Sequence, residues 1–171
     1  MKNKILAVLA GAMLVSSVGF AAPITDVQEG QTSIGYNHYN LNHDVTNDSF
    51  NLEHGISAKF ILGIERNTAD LETTDLYAQY KLDPNIRLIA GNRDFDNGSG
   101  KFFYGLGALT NLAPNLDGDL SVTASSNYTE WQAGVNYKLD GQTALHLGYK
   151  SYDQDGLPTF DGIGFGINHK F

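Results

Sequence analysis

The chain has 171 residues, with 11 Lys and Arg against 19 Asp and Glu, and its formal net charge is −8. This acidic balance argues against nonspecific nucleic-acid binding, and the absence of cysteine excludes disulfides and thiolate metal sites as the source of stability. Glycine is abundant at 19 residues, proline numbers only 4, and Tyr and Phe contribute 9 each.

The first element is a leader. Met1-Lys2-Asn3-Lys4 is basic, an apolar run follows from Ile5 to Phe20, and Gly19-Phe20-Ala21 offers small residues at the spacing a signal peptidase reads. Residues 1–21 therefore read as a secretory signal peptide, and 22–171 as one mature domain. A transmembrane anchor is the competing reading, but the run is short and a cut site follows it. Without Lys2 and Lys4, 9 basic side chains face 19 acidic ones, a net charge of −10. No later apolar run reaches the length of a helical span. A mature chain that crosses a membrane must do so as a barrel.

Alternation of apolar and polar residues marks the strands. The first runs over 32–41, with Ile34, Tyr36 and His38 on one face. A polar stretch, 42–49, reads as a loop before a short second strand at 50–56. Strands follow at 60–67 and 73–82, then the turn Asp83-Pro84-Asn85 and a strand at 86–94. Asn97-Gly98-Ser99-Gly100 leads into a sixth strand, 101–112. A weak seventh spans 119–124. The eighth, 129–139, carries Trp131, Ala133, Val135, Tyr137 and Leu139 on its apolar face, and Asp140-Gly141 is a two-residue hairpin signal. The ninth and tenth occupy 142–152 and 160–171. The expected fold is all-β, an antiparallel up-and-down transmembrane barrel of ten strands, with eight the alternative if either short hairpin is misread.

A soluble β-sandwich or lipocalin-like barrel binding a small ligand would share the period. A solid soluble core needs bulky apolar groups inside. Here the small faces carry Gly35, Gly63, Gly91, Gly105, Gly134, Gly148 and Gly164 among others, so the large faces are expected to point outward into lipid. Trp131, Tyr36, Tyr80, Tyr104, Tyr137 and Tyr149 are candidates for interfacial aromatic girdles.

The closing strand alternates without a break: Ile163, Phe165, Ile167, His169 and Phe171 against Gly162, Gly164, Gly166, Asn168 and Lys170. With this strand the chain resembles the small, porin-like outer-membrane β-barrel proteins of diderm bacteria. The resemblance covers the mature chain in pattern, and it departs at His169, where such proteins often carry an aromatic residue. It implies that Phe171 is the signal read by barrel-assembly machinery. It also implies a bacterial outer-membrane location, contact with outer-membrane lipid, and both termini on the periplasmic side.

Strand parity points Glu53, Glu65, Asp75, Lys81, Arg87, Arg93, Glu130, Lys138, Lys150 and Lys170 inward, where charge is tolerated. Lys81, Arg87, Lys138 and Lys170 fall near the periplasmic end, while Glu65, Asp75, Arg93 and Glu130 fall nearer the outer end. The lower ring reads as basic and the upper as mixed. Two functions use this pattern: ion pairs that brace a structural barrel, or a narrow polar lumen that passes small solutes or ions, with a lower ring favouring anions. Surface adhesion or ligand binding is the alternative, although the connections are short for an adhesin. Enzyme chemistry is not expected. His38, His43 and His54 lie near Asp44 and Asp48, but no serine elbow or metal-ligand motif accompanies them. Asp94-Phe95-Asp96-Asn97-Gly98 supplies hard oxygens but not a full calcium loop. No cofactor or metal is expected.

Overall fold

A computed structural model describes residues 24–70, 72–96, 98 and 100–171. The predicted signal segment, 1–21, lies outside the described residues. Ten antiparallel strands follow one another: β1 (Thr32–Leu41), β2 (Thr46–Gly55), β3 (Phe60–Ala69), β4 (Thr73–Lys81), β5 (Ile86–Phe95), β6 (Lys101–Ala113), β7 (Leu116–Ser125), β8 (Tyr128–Lys138), β9 (Thr143–Gln154) and β10 (Phe160–Lys170). Each pairs with its sequence neighbour, and β10 pairs with β1 from Ser33↔Lys170 to Leu41↔Gly162, so the sheet closes on itself without an edge. Closure satisfies every ladder and removes the free edge that an open sheet would present.

The two strands with weak sequence patterning are longer than their pattern indicates. β2 begins at Thr46 rather than Phe50, because Asn47 and Ser49 continue its inward face as buried polar residues. β7 begins at Leu116, and the register slips between Asn111 and Ala113 where β6 meets it. Alternation of apolar and polar residues is hidden where both faces are small or polar.

The polarity of a soluble protein is reversed. Ile34, Leu62, Leu76, Phe102, Leu106, Leu147, Ile163, Phe165 and Phe171 are exposed on the outer wall. The buried set includes Ser49, Asn51, Glu53, Glu65, Asp75, Gln79, Arg87, Arg93, Ser121, Thr123, Glu130 and Lys150. The interior apolar residues Tyr77, Ile89, Phe103, Tyr128 and Tyr152 form one cluster together with Ile24. On the outside, Tyr36–Phe50, Phe60–Tyr80 and Trp131–Tyr149 pack across neighbouring strands with ring centroids 4.9 Å apart. Such pairs each add about 0.5–1.5 kcal/mol beyond their burial.

One end of the barrel carries residues 24–31, Phe171 and the turns 56–59, 82–85, 114–115 and 139–142; this is the terminal end. The other, the loop end, carries 42–45, 70, 72, 96, 98, 100, 126–127 and 155–159. All of these connections are short. On the outer wall towards the loop end, apolar residues give way to polar ones, and the Tyr36 and Tyr149 hydroxyls donate to Asp48 (2.7 Å) and Asp161 (2.5 Å).

Candidate functional site

The interior is the candidate site, and its contents divide it into three levels. At the terminal end the chain's own residues 24–31 enter the barrel. Ile24 and Val27 are buried. The segment is stitched to β2 by Gly30 N–H donating to the Gly55 carbonyl (2.8 Å) and Gly55 N–H donating to the Gln31 carbonyl (3.0 Å). Gly55 admits this approach because a Cβ there would run into the Gln28 carbonyl.

The basic residues of this end hold the segment. Lys81 Nζ donates to the Val27 carbonyl (2.6 Å), Arg87 Nη1 to the Thr25 carbonyl (2.7 Å) and Lys170 Nζ to the Asp26 carbonyl (2.7 Å). The Asp26 carboxylate lies 3.6 Å from both Lys81 and Arg87. Lys138, the fourth member, pairs with Asp117 at 2.7 Å. All four basic side chains of the lower ring are therefore engaged by protein oxygens.

The loop-end half holds the mixed charges in one network. Arg93 binds Asp75 through two nitrogens, Nε to Oδ1 at 2.6 Å and Nη2 to Oδ2, and its Nη1 is 3.8 Å from Glu130. Lys150 lies 3.4 Å from Glu130, donates to Asn47 Oδ1 (2.8 Å), and sits 5.1 Å above the Tyr39 ring. Glu65 accepts a hydrogen bond from Ser49. Between this network and the terminal end lies the third level, where Glu53 accepts from the Tyr77 hydroxyl (3.1 Å) and Gln79 Nε2 (2.7 Å), while Gln79 Oε1 accepts from Arg87 (2.9 Å). Buried charges survive only when paired and hydrogen-bonded in this way.

Among the described residues, three cavities bear on the site. One of about 170 Å³ opens at the loop end among Asn67, Thr73, Glu130, Lys150 and Tyr152. One of about 230 Å³ lies at the terminal end beside residues 24–26, among Asp117, Asn136, Lys138, Asn168 and Lys170. Between them is a small polar cavity of about 30 Å³ lined by Asn37, Asn51, Asp119, Asn136, His146 and Asn168. The small cavity shares Ile24, Thr25, Asn136 and Asn168 with the terminal-end one and no residue with the loop-end one. Tyr39, whose hydroxyl points to Gln132 Oε1 (3.5 Å), and the Glu130–Lys150 pair stand at the division.

The inward glycines do not leave open space. A Cβ at Gly35 would meet the Asn51 carboxamide, one at Gly166 that of Asn37, and one at Gly63 the Tyr77 ring. Gly134 and Gly148 together form the berth of His146. Gly35, Gly63, Gly134 and Gly166 each let a neighbouring strand's long side chain lie flat on the wall, and Gly148 does so for His146 of its own strand.

The other candidates are separated. His38 pairs with Asp48 (2.8 Å) on the outer wall, His43 bonds Asn42 in the β1–β2 loop, and His54 bonds Thr32 (2.9 Å) near the terminal end. Asp96, considered above as a calcium ligand, is held by two Arg66 nitrogens at 2.7 and 3.0 Å. That contact lowers its carboxyl to about 2. The N-terminal insertion and the Asp119 cavity have no counterpart in the sequence reading. The first has no periodic pattern, and the second joins six strands.

No family model and no curated protein matches the chain. Among solved structures, the NanC porin has a TM-score of 0.51 at 10% identity, covering 82% of this chain and 100% of that one. A de novo designed transmembrane β-barrel gives 0.48 at 13% identity, with 86% and 100% covered. The N-terminal β-barrel domain of Pseudomonas aeruginosa OprF gives 0.44 at 10%, with 84% and 98% covered. At this identity the likeness to NanC is one of fold.

Proposed function

We propose that the protein is an outer-membrane barrel with a narrow polar lumen for small solutes or ions, constricted at mid-height by ion pairs and at the terminal end by its own residues 24–31. The observation that carries this reading is the reversed polarity: apolar side chains on the outer wall, and charges and carboxamides within. A water-soluble barrel gains nothing from this arrangement, whereas a lipid-embedded one requires it. The similarity of fold to the NanC porin supports it. Phe171 then stands at the periplasmic rim as the feature read by the assembly machinery, and residues 1–21 act as the export signal.

The lumen serves as a conduit only for small species. Ten strands enclose little space, and the remaining cavities are discontinuous. Fractionation and conductance test the two halves of the reading. The protein should partition with outer membranes and migrate faster on gels before boiling than after. Recovery in the soluble periplasm would overturn the location. In planar bilayers the folded barrel should give small, brief conductance steps. Folded protein that stays silent under all ionic conditions would leave a purely structural barrel.

A further inference from the structure

We propose that the mid-lumen cavity at Asp119 is a binding site for a small monovalent cation, entered from the terminal end. The proposal deepens the reading of the lumen as a conduit; it rests on that reading for transport but not for binding.

Asp119 lies on β7 facing inward, and its side chain is 6% exposed. Among the other buried carboxylates, Asp75 pairs with Arg93 and Glu130 with Arg93 and Lys150; Glu53 is joined to Arg87 through Gln79, and Glu65 is held by the Ser49 hydroxyl. No lysine or arginine pairs with Asp119 among the described residues. The nearby cations are committed, Lys138 to Asp117 and Lys170 to the Asp26 carbonyl.

His146 is the one titratable cation source at the cavity, 3.7 Å from Asp119. Its hydrogen bonding places a hydrogen on Nδ1. Asn136 Nδ2 donates to Asp119 Oδ1 (2.6 Å), which turns the Asn136 oxygen to His146 Nδ1 (3.2 Å). A carboxamide oxygen only accepts, so Nδ1 carries the hydrogen. The opposite nitrogen, Nε2, lies against Gly134 and Gly148. The carboxylate thus faces a polar cavity with no lysine or arginine beside it, an arrangement that is costly unless the carboxyl takes up a proton or a cation supplies the counter-charge.

The cavity selects the class of ion. At about 30 Å³ it has the room of one water molecule. Its walls bring the Asn37, Asn51 and Asn168 carboxamides to the single carboxylate. One negative charge among neutral oxygens balances one positive charge. Calcium takes six to eight oxygens, commonly from several carboxylates, and magnesium keeps several of its waters. Neither requirement is met here. Access follows from the residues shared with the terminal-end cavity.

The test uses the folded full barrel in detergent, with rubidium bromide as the crystallographic probe and sodium as the solution probe. Anomalous diffraction from crystals soaked in rubidium bromide should show rubidium at Asp119. Sodium-23 line broadening, in a choline background, should saturate. Asp119→Asn should weaken sodium binding by about tenfold or more. Asn37→Ala removes a wall carboxamide without touching the Asp119–Asn136–His146 chain, and it should weaken binding by a smaller factor. Bromide in place of rubidium, absence of saturable sodium binding, equal binding by folded Asp119→Asn, or displacement of sodium by equimolar calcium would each overturn the site. A silent bilayer with the rubidium site intact would instead sink the conduit reading alone.

Discussion

Arg87 reaches across the barrel interior to the backbone carbonyl oxygen of Thr25, 2.7 Å from its Nη1. The guanidinium is fully buried and also donates to Gln79 Oε1, so it joins the N-terminal segment to the barrel wall.

Breaking this joint should free the segment before it unfolds the barrel. A hydrogen bond to a charged group contributes about 1.5–3 kcal/mol. Lys81→Ala combined with Arg87→Ala removes two such bonds to residues 25–27. The variant is expected to keep heat-modifiable migration. Protease added from the terminal end should cleave within 24–31 at least tenfold faster, an order-of-magnitude figure from the same bond energies. Conductance steps should also grow. Unchanged cleavage would mean that Ile24 and Val27 hold the segment by packing alone.

Arg93 and Asp75 make a second test. Their side chains are 4% and 3% exposed, so neither charge is relieved by water. Removing one partner of such a pair costs about 3–5 kcal/mol, whereas replacing both with well-packed apolar groups is often close to neutral. Arg93→Leu should therefore lower the urea midpoint strongly, and Asp75→Leu with Arg93→Leu should recover most of the loss. Glu130, 3.8 Å from Arg93, keeps Lys150 in the double variant. Trp131 is the chain's one tryptophan and stands on the outer wall against Tyr149, so its fluorescence reports unfolding.

The strand order, the closure and the inward direction of the charged residues follow from a period of two that runs from Ile34 to Phe171. That pattern is local, and local patterns are readable. β2 and β7 were harder to delimit because Asn47, Ser49 and Asp117 continue an inward face that has no apolar partner to mark it. The occupation of the interior was not readable at all. The contact of Lys170 with Asp26 spans 144 positions, and the resting places of Asn51 on Gly35 and His146 on Gly134 depend on which strand lies beside which. A glycine in a strand signals close approach, but the sequence does not say what approaches.

Gly148 makes that last point testable. Its missing side chain is where the His146 imidazole lies, together with the matching space at Gly134. Gly148→Val should force the ring off its berth and disturb its bond to Asn136, at a cost of about 1–3 kcal/mol, as overpacking generally does. Adding His146→Ala vacates the space and should return part of the loss. A double-mutant cycle in urea would show this as a coupling of at least 0.5 kcal/mol in magnitude, the lower end for residues in contact. Strict additivity would mean that the two positions do not share the space.

The outer wall predicts a dependence on height. Leu147 is 58% exposed and paired with Val135 and Phe165, so its surroundings on the wall are apolar. Asp48 lies on the same outer surface towards the loop end, beside Tyr36 and His38. An arginine at the bilayer midplane of a barrel costs about 2–4 kcal/mol, and near the interface about 0–1. Leu147→Arg should lower the folding free energy in lipid vesicles by the larger amount, and Asp48→Arg by the smaller. In a soluble barrel both would be surface changes within about 0.5 kcal/mol. The difference between the two positions is therefore a direct measure of the lipid boundary, independent of any conductance. Equal and small costs would place the wall in water and remove the basis for the membrane reading.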